Sequence, residues 1–257
     1  MRRLALGSTG IAVSRLSLGT GTDGWDFASD QTRALGTGGL ARLMQAAFDR
    51  GIDFFDLADQ YGSHPAMREA LKTIPRDKVV ITTKTTAKTG PEMEKALDRF
   101  LKELGTDHID ILLFHCVTDH DWGRRLRPAM DVLDRAKQKG KVRAVGASEH
   151  SMAGLKALAA EPWADVALVR ANFGGVNMAG KPEEVTPVMR GMMDAGKGVY
   201  GMKVLGGGEL KRDVRKAVEW HFSVPEHAFT VGFVSERELD EVIRIVGEKW
   251  GKPVGAA

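Results

Sequence analysis

Four side chains that can perform acid–base chemistry together follow consecutive short apolar runs of the chain. Asp56, Lys84 and His115 each come directly after one run, and Tyr61 lies five residues beyond Asp56. Tyrosine and lysine side chains have ordinary pKa values of about 10 and about 10.4. A buried ammonium favours the phenolate and lowers the pKa of the phenol, while a carboxylate keeps the ammonium charged. The group therefore predicts a tyrosine that acts as a general acid near neutral pH.

The elements that must position these residues are eight short apolar runs. Most of the runs lack the alternation of polar and apolar residues that marks a half-exposed strand. This pattern is typical of parallel strands that are buried on both faces. The predicted strands are Leu16–Leu18, Ile52–Phe55, Val79–Thr83, Ile109–Phe114, Val142–Gly146, Val166–Val169, Val199–Met202 and Phe229–Phe233.

Amphipathic segments of helical period separate these predicted strands. Glycines that can take a positive φ end several helices, and prolines stand where first turns begin; these residues are Gly51, Gly105, Gly140 and Gly196, and Pro65, Pro91 and Pro128. Eight βα units in about 250 residues predict an α/β protein, a closed (β/α)8 TIM barrel that forms one domain over residues 1–257. An open doubly wound sheet is the alternative. In a barrel of this kind the active site lies at the carboxyl ends of the strands.

Composition and charge exclude several classes of protein. The 37 basic and 34 acidic residues give a net charge of +3, which offers no electrostatic case for nucleic-acid binding. The longest stretch without a charged residue runs from Leu4 to Ser14, too short for a membrane helix or a signal peptide. The single cysteine, Cys116, allows no internal disulfide, and we expect a cytoplasmic protein. His64, His120, Asp119 and Asp121 match no metal-site spacing, so no metal is expected.

Three segments of the chain resemble the aldo-keto reductase superfamily. They are FFDLADQYG (54–62), VVITTK (79–84) and LLFHC (112–116), which carry an Asp, Tyr, Lys and His tetrad in that order. VRAVGASEH (142–150) and VLGGGEL (204–210) are similar to the strand-5 and strand-7 signatures, and GVYGMKVLGGG (198–208) looks like a short bacterial member. The resemblance implies reduction of an aldehyde or ketone by NADPH, with NADH also possible, or the reverse oxidation. Tyr61 would donate the proton, Lys84 and Asp56 would assist it, and His115 would orient the carbonyl.

The resemblance and the strand-end positions also indicate residues that would bind the cofactor: Gly19, Thr20, Asp56, Ser148, Asn172, Met202, Lys203, Leu205, Gly206, Gly208, Ser235, Arg237 and Glu241. Three positions depart from the family pattern. Glu149 replaces an asparagine, Leu168 stands at a usual glutamine, and Met202 replaces a stacking aromatic. Trp25 and Trp122 follow predicted strands 1 and 4, and we expect them to line a substrate pocket with Tyr61 and His115.

Two other functions remain open at this level. A lysine at a barrel strand end can attack a carbonyl, which would make the protein a Schiff-base lyase that uses Lys84. The departures at the nicotinamide contacts also allow a cofactor-binding sensor or regulatory protein with little turnover. The sequence identifies neither the carbonyl substrate nor the oligomeric state.

Overall fold

A computed structural model describes residues 1–224 and 227–250, without the side chain of residue 250. The chain begins with an antiparallel hairpin of β1 (Arg3–Ala5) and β2 (Ala12–Ser14), which the sequence analysis did not predict. Leu6, Ile11 and Val13 of this hairpin are buried against the residues that fill the interior of the barrel. The hairpin therefore closes the barrel opposite the carboxyl ends of its strands.

Eight parallel strands form the closed barrel, in the order β10-β3-β4-β5-β6-β7-β8-β9. The structure thus confirms the predicted (β/α)8 barrel and not the open sheet. Each predicted apolar run contributes one strand, with bounds that differ by a few residues. The strands are β3 (Leu16–Gly19), β4 (Phe54–Asp56), β5 (Val80–Thr85), β6 (Ile109–Val117), β7 (Val142–Glu149), β8 (Val166–Arg170), β9 (Gly198–Met202) and β10 (Ala228–Gly232).

Helices follow the strands and cover the outside of the barrel. Pro65, Pro91 and Pro128 stand in first helical turns, and Gly105 ends its helix at φ +67°, as the sequence predicted. The helices are α1 (Asp30–Asp49), α2 (His64–Ala70), α3 (Gly90–Leu104), α4 (Trp122–Arg125), α5 (Arg127–Gln138), α6 (Met152–Ala160), α7 (Pro182–Asp194), α8 (Val214–Trp220) and α9 (Glu236–Trp250). Over the two described ranges, no helix combines the length and the apolar character that a bilayer span requires.

Two apolar layers hold these elements in place. The larger layer lies between the strands and the helices, and the smaller layer fills the barrel with residues such as Phe54, Ile111, Leu113 and Leu168. Because both faces of each strand are covered, the strands are apolar along most of their length. Polar side chains gather where the strands end, at the open mouth of the barrel.

Candidate active site

A buried ion pair lies at the centre of the mouth, at the ends of β4 and β5. The Lys84 Nζ atom is 2.9 Å from Asp56 Oδ1 and donates to the backbone oxygen of Leu57 at 2.8 Å. Lys84 is only 1% exposed. Burial lowers the pKa of Lys84, and the adjacent Asp56 carboxylate opposes this shift. The carboxylate therefore holds the ammonium in place and favours its charged form.

Tyr61 lies directly above this ion pair. It ends the 3₁₀ turn Asp59–Tyr61 that follows β4, and the Lys84 Nζ atom lies 4.8 Å from the centroid of its ring. Gly21 and Gly24 pack against the other parts of the ring so closely that a Cβ atom would come within 2.2 Å and 2.5 Å of ring atoms. The loop after β3 therefore needs glycines at both positions to let the tyrosine reach its place.

His115 completes the group from the end of β6. Its Nε2 atom is 3.2 Å from the hydroxyl oxygen of Tyr61. The pairing of β6 with β7 shifts between Phe114 and Val117, and Cys116 takes φ +63° in this bulge. Bulges of this kind redirect side chains next to active sites. Burial lowers the pKa of His115 well below its ordinary value, and the charge of Lys84 adds to the shift, so the imidazole is neutral at pH 7.

The pKa of Tyr61 does not move in the direction that the sequence analysis expected. Burial raises the pKa of this phenol well above 10, and the negative charge of Asp56 raises it further. The ammonium of Lys84 faces the ring and bonds to Asp56, and its attraction for a phenolate does not offset the effect of burial. The hydroxyl of Tyr61 is therefore protonated in the free protein, which is the form a proton donor needs.

A second tyrosine, which the sequence analysis missed, also contacts the tetrad. The hydroxyl of Tyr200 on β9 donates to Asp56 Oδ1 at 2.9 Å, inside the barrel. The chain contains only two tyrosines, and both belong to this group. Tyr200 stands two residues before Met202 on the same strand, so strand alternation could have placed it facing inward.

We expect Tyr200→Phe to destabilise the protein by about 1–2 kcal/mol, because it removes one hydrogen bond to a buried carboxylate and keeps the ring. Catalytic activity should fall by less than about tenfold, since Asp56 keeps its bond to Lys84. Urea unfolding and steady-state kinetics measure the two effects. A loss of activity as large as that from Tyr61→Phe would mean that Tyr200 has a direct part in the chemistry.

The predicted cofactor residues at the ends of β7 and β8 differ in the hydrogen bonds that they already make within the protein. The Ser148 hydroxyl oxygen accepts a hydrogen bond from the backbone N–H of Cys116 at 2.9 Å. The side chain of Asn172 donates to the backbone oxygens of Val176 and Lys203, and it accepts from two N–H groups of its own loop. All four hydrogen-bonding positions of Asn172 are therefore used to shape this loop. Leu168 is buried inside the barrel, as its place in the strand requires.

A glycine turn follows β9 at the mouth. Gly206, Gly207 and Gly208 all have positive φ, at 59°, 72° and 103°, and no atom lies within 4 Å of where a Cβ of Gly208 would be. Lys203 precedes the turn at φ +58°. Met202 is buried, whereas Leu205 is partly exposed. The turn therefore leaves open space at Gly208, and the Lys203 Nζ atom lies 3.9 Å from where a Cβ of Gly207 would be.

The first turn of α9 carries the predicted contacts to a cofactor phosphate. Ser235 caps this turn, because its hydroxyl accepts the N–H of Glu238 at 3.3 Å. The Glu238 carboxylate accepts the N–H of Val234 at 2.8 Å. Arg237 and Glu241 are both exposed. The carboxylate of Glu238 therefore already accepts a backbone N–H group at the start of this helix.

The remaining predicted residues divide between the mouth and the core. Gly19 and Thr20 lie buried at the end of β3, where the Thr20 hydroxyl donates to the backbone oxygen of Asp56 and lies 2.9 Å from the Ser63 hydroxyl oxygen. Trp25 is 49% exposed, with its ring centroid 5.6 Å from that of His115. Trp122 is 1% exposed and packs against Phe114 between sheet and helices. The structure therefore brings Trp25 to the tetrad but not Trp122.

Arg170 is a charged group of the mouth that the sequence analysis did not single out. It ends β8, where its backbone N–H donates to Glu149 Oε1 at 2.8 Å. Within the described residues, its Nε atom is buried without a hydrogen-bond partner. Arg170 also forms no ion pair with any of these residues. Its charge lowers the pKa of the neighbouring His150, whose value burial brings to about 4. A basic residue at the end of a predicted strand was the signal available in the sequence.

The fold and the tetrad define a (β/α)8 barrel with a tyrosine-centred site at the carboxyl ends of its strands. A model of the aldo/keto reductase family matches residues 15–257. The chain belongs to this family. A crystal structure of a Pseudomonas aeruginosa protein assigned to the aldo-keto reductases superposes with a TM-score of 0.78 and 26% identity, covering 96% of this chain and 95% of that one.

Curated relatives match over a shorter stretch. The NADH-specific methylglyoxal reductase of Escherichia coli (strain K12) is 29% identical over 175 residues, which cover 58% of this chain and 52% of that protein. The NADP(+)-dependent glycerol 2-dehydrogenase of Saccharomyces cerevisiae is 29% identical over 144 residues, covering 54% of this chain and 40% of that protein. The chain therefore spans about half or less of the length of these curated relatives.

Proteins of this family use a nicotinamide dinucleotide, and the mouth of the barrel has features that fit one. Glu149 Oε2 and Arg170 Nε are buried polar atoms that lack a hydrogen-bond partner within residues 1–224 and 227–250, which is costly unless a ligand supplies one. The open space over the turn at Gly208 lies beside Lys203, where a phosphate can approach the backbone closely. We therefore regard the residues present as compatible with the cofactor.

Proposed function

We propose that the protein is a nicotinamide-dependent oxidoreductase that interconverts an aldehyde or ketone and the corresponding alcohol. The observation that carries the proposal is the contact of Tyr61 with both of its partners, Lys84 below its ring and His115 at its hydroxyl. The hydroxyl of Tyr61 can give its proton to a carbonyl oxygen on the side of His115. The phenolate that forms can be stabilised by Lys84 on the other side.

In the reducing direction, Tyr61 would donate its hydroxyl proton to the carbonyl oxygen of the substrate. The proton is present because burial keeps the pKa of the phenol well above 10 in the free protein. As the phenolate forms, the ammonium of Lys84 becomes its nearest cation, so the positive charge favours proton transfer. When bound, the nicotinamide supplies the hydride.

His115 would hold the carbonyl oxygen in place for this proton transfer. Its imidazole is neutral, because burial keeps its pKa well below 6.5. A neutral imidazole offers one donor and one acceptor, so it can bond to the substrate without competing with Tyr61 as an acid. The exposed ring of Trp25 beside His115 would cover the apolar part of a small substrate.

The cofactor would lie across the ends of β7 to β10. Ser148 and Glu149 would face the nicotinamide, and the turn at Gly206–Gly208 with Lys203 would hold the phosphates. A phosphate on the ribose, which distinguishes NADPH from NADH, would meet the carboxylate of Glu238 near the start of α9. Like charges repel, so we propose that NADH binds at least as tightly as NADPH.

The position of Lys84 argues against a Schiff-base lyase. An amine that attacks a carbonyl must be free and must reach the substrate. Lys84 Nζ instead bonds to Asp56 and to the backbone oxygen of Leu57, beneath the ring of Tyr61. Hydride transfer, in which this ammonium keeps its protons, agrees better with the geometry.

The proposal is tested with NADH and NADPH side by side. Quenching of tryptophan fluorescence measures the affinity for each dinucleotide, and absorbance of the reduced cofactor follows the turnover of a carbonyl and alcohol panel that includes methylglyoxal and glycerol. We expect binding, and turnover of at least one carbonyl. Tight binding without any turnover would support a sensor protein, and absence of binding would contradict both readings.

A further inference from the structure

We propose that Glu149 is a specificity-determining residue of the dinucleotide site, where its buried carboxyl group, when ionised, favours the oxidised, cationic cofactor over the reduced one. The inference rests on the proposed function and deepens it, since it concerns the redox form that the site prefers.

The geometry of Glu149 is that of a carboxyl group with one unused oxygen. The side chain ends β7 and has no exposed surface. Its Oε1 atom accepts the backbone N–H of Arg170 at 2.8 Å, whereas Oε2 is buried and has no hydrogen-bond partner among the residues that the structure describes. A buried polar atom without a partner is rare in a folded protein, and it points to a ligand at that place.

The position of Glu149 places it beside the strand that carries His115. Glu149 is paired with Val117 across β7 and β6, next to the bulge that holds His115 and Cys116. A nicotinamide must lie within bonding reach of a carbonyl that is held by Tyr61 and His115. The ring, and the positive charge that it carries when oxidised, would therefore come close to the end of β7.

Glu149 changes charge near neutral pH, whereas the titratable groups of Cys116 and His150 beside it do not. Burial raises the pKa of Glu149 to about 7, and the N–H groups and charge of its neighbours oppose the shift only in part. The backbone N–H of Arg170 on β8 bonds to its Oε1 atom. Cys116 on β6 has its pKa raised to about 11, and His150, next in the chain, has its pKa lowered to about 4. Neither of these two changes charge between pH 6 and pH 8.

The sign of the pH dependence follows from these charges. Above pH 7 the Glu149 carboxylate attracts the cationic oxidised nicotinamide, and below pH 7 the neutral acid does not. The charge of Arg170 opposes the same cation, and comparing the wild-type protein with Glu149→Gln removes this contribution. The oxidised cofactor should therefore bind more tightly as the pH rises through about 7, while the reduced cofactor, which has no charge on its ring, should not.

The experiment measures the Kd of NAD⁺ and of NADH by tryptophan fluorescence at pH 6, 7 and 8. The ratio of the Kd of NADH to the Kd of NAD⁺ is the quantity compared, because any titration that affects the shared part of the cofactor cancels. In the wild-type protein we expect this ratio to rise roughly fivefold from pH 6 to pH 8, which corresponds to a carboxylate that strengthens binding of the cation about tenfold. In Glu149→Gln it should be independent of pH and lie below the wild-type value at pH 6.

The matched control is Glu183→Gln, which changes an exposed glutamate on α7 and should leave the wild-type rise intact. A second measurement needs no variant: calorimetry of NAD⁺ binding at pH 7 in buffers of different ionisation enthalpy should detect proton release, since the bound cation lowers the pKa of Glu149. If both forms bind but the ratio is flat and no proton is released, the inference is wrong and the proposed function stands. If neither form binds, the proposed function itself is wrong.

Discussion

Tyr61→Phe is expected to lower kcat for carbonyl reduction by roughly 10²–10⁴-fold, the range that a positioned general acid contributes. The variant keeps the ring that packs against Gly21, Gly24 and Lys84 and removes only the hydroxyl. The loss should therefore appear in kcat, while the affinity for the dinucleotide stays within about twofold. Steady-state kinetics and a fluorescence titration on the same preparation separate the two quantities.

The other tyrosine of the chain provides the matched control. Tyr200→Phe also removes one hydroxyl from the buried group, but that hydroxyl bonds to Asp56 and does not reach the mouth. A large loss of kcat in Tyr61→Phe with a small loss in Tyr200→Phe assigns the proton to Tyr61. Activity of Tyr61→Phe close to that of the wild-type protein would show that another group supplies the proton.

The fold was predictable because the residue patterns that specify its strands and helices lie within short stretches of the chain. Strands that are buried on both faces need apolar runs, and helices that cover a barrel need one apolar face, so both leave a period in the sequence. Asp56, Lys84 and His115 were predictable for a related reason, since each is a polar residue placed directly after such a run. The terminal hairpin left no comparable signal, because its strands are three residues long and its partners lie inside the barrel.

Several features of the candidate site depend on distances that a sequence does not contain. Tyr200 lies within an apolar run, and only the closure of the barrel brings its hydroxyl to Asp56. The pKa of Tyr61 follows the balance between burial and the charge of Lys84, and the balance was unknown until both were positioned. Trp122 follows predicted strand 4, as expected. Its side chain nevertheless lies in the layer between sheet and helices, because the short helix α4 begins at this residue.

Lys84→Met is expected to have the other large effect, on both activity and stability. Methionine keeps most of the length of the side chain but removes the ammonium that lies 4.8 Å from the Tyr61 ring centroid. The phenolate that forms during proton transfer then loses its nearest cation, and we expect kcat to fall by roughly 10²–10³-fold. The variant also leaves the buried Asp56 carboxylate with Tyr200 as its one side-chain partner in the described part of the chain. This should cost about 3–5 kcal/mol of the free energy of unfolding.

A double variant separates these two effects. Asp56→Asn in the Lys84→Met background removes the charge that is left unpaired, so the double variant should recover part of the lost stability in urea unfolding without recovering kcat. Recovery of stability alone would mean that the ammonium acts on Tyr61 and not merely on the packing beneath it. If kcat instead followed stability in both variants, Lys84 would be a structural residue, and the phenol would need another source of stabilisation for its anion.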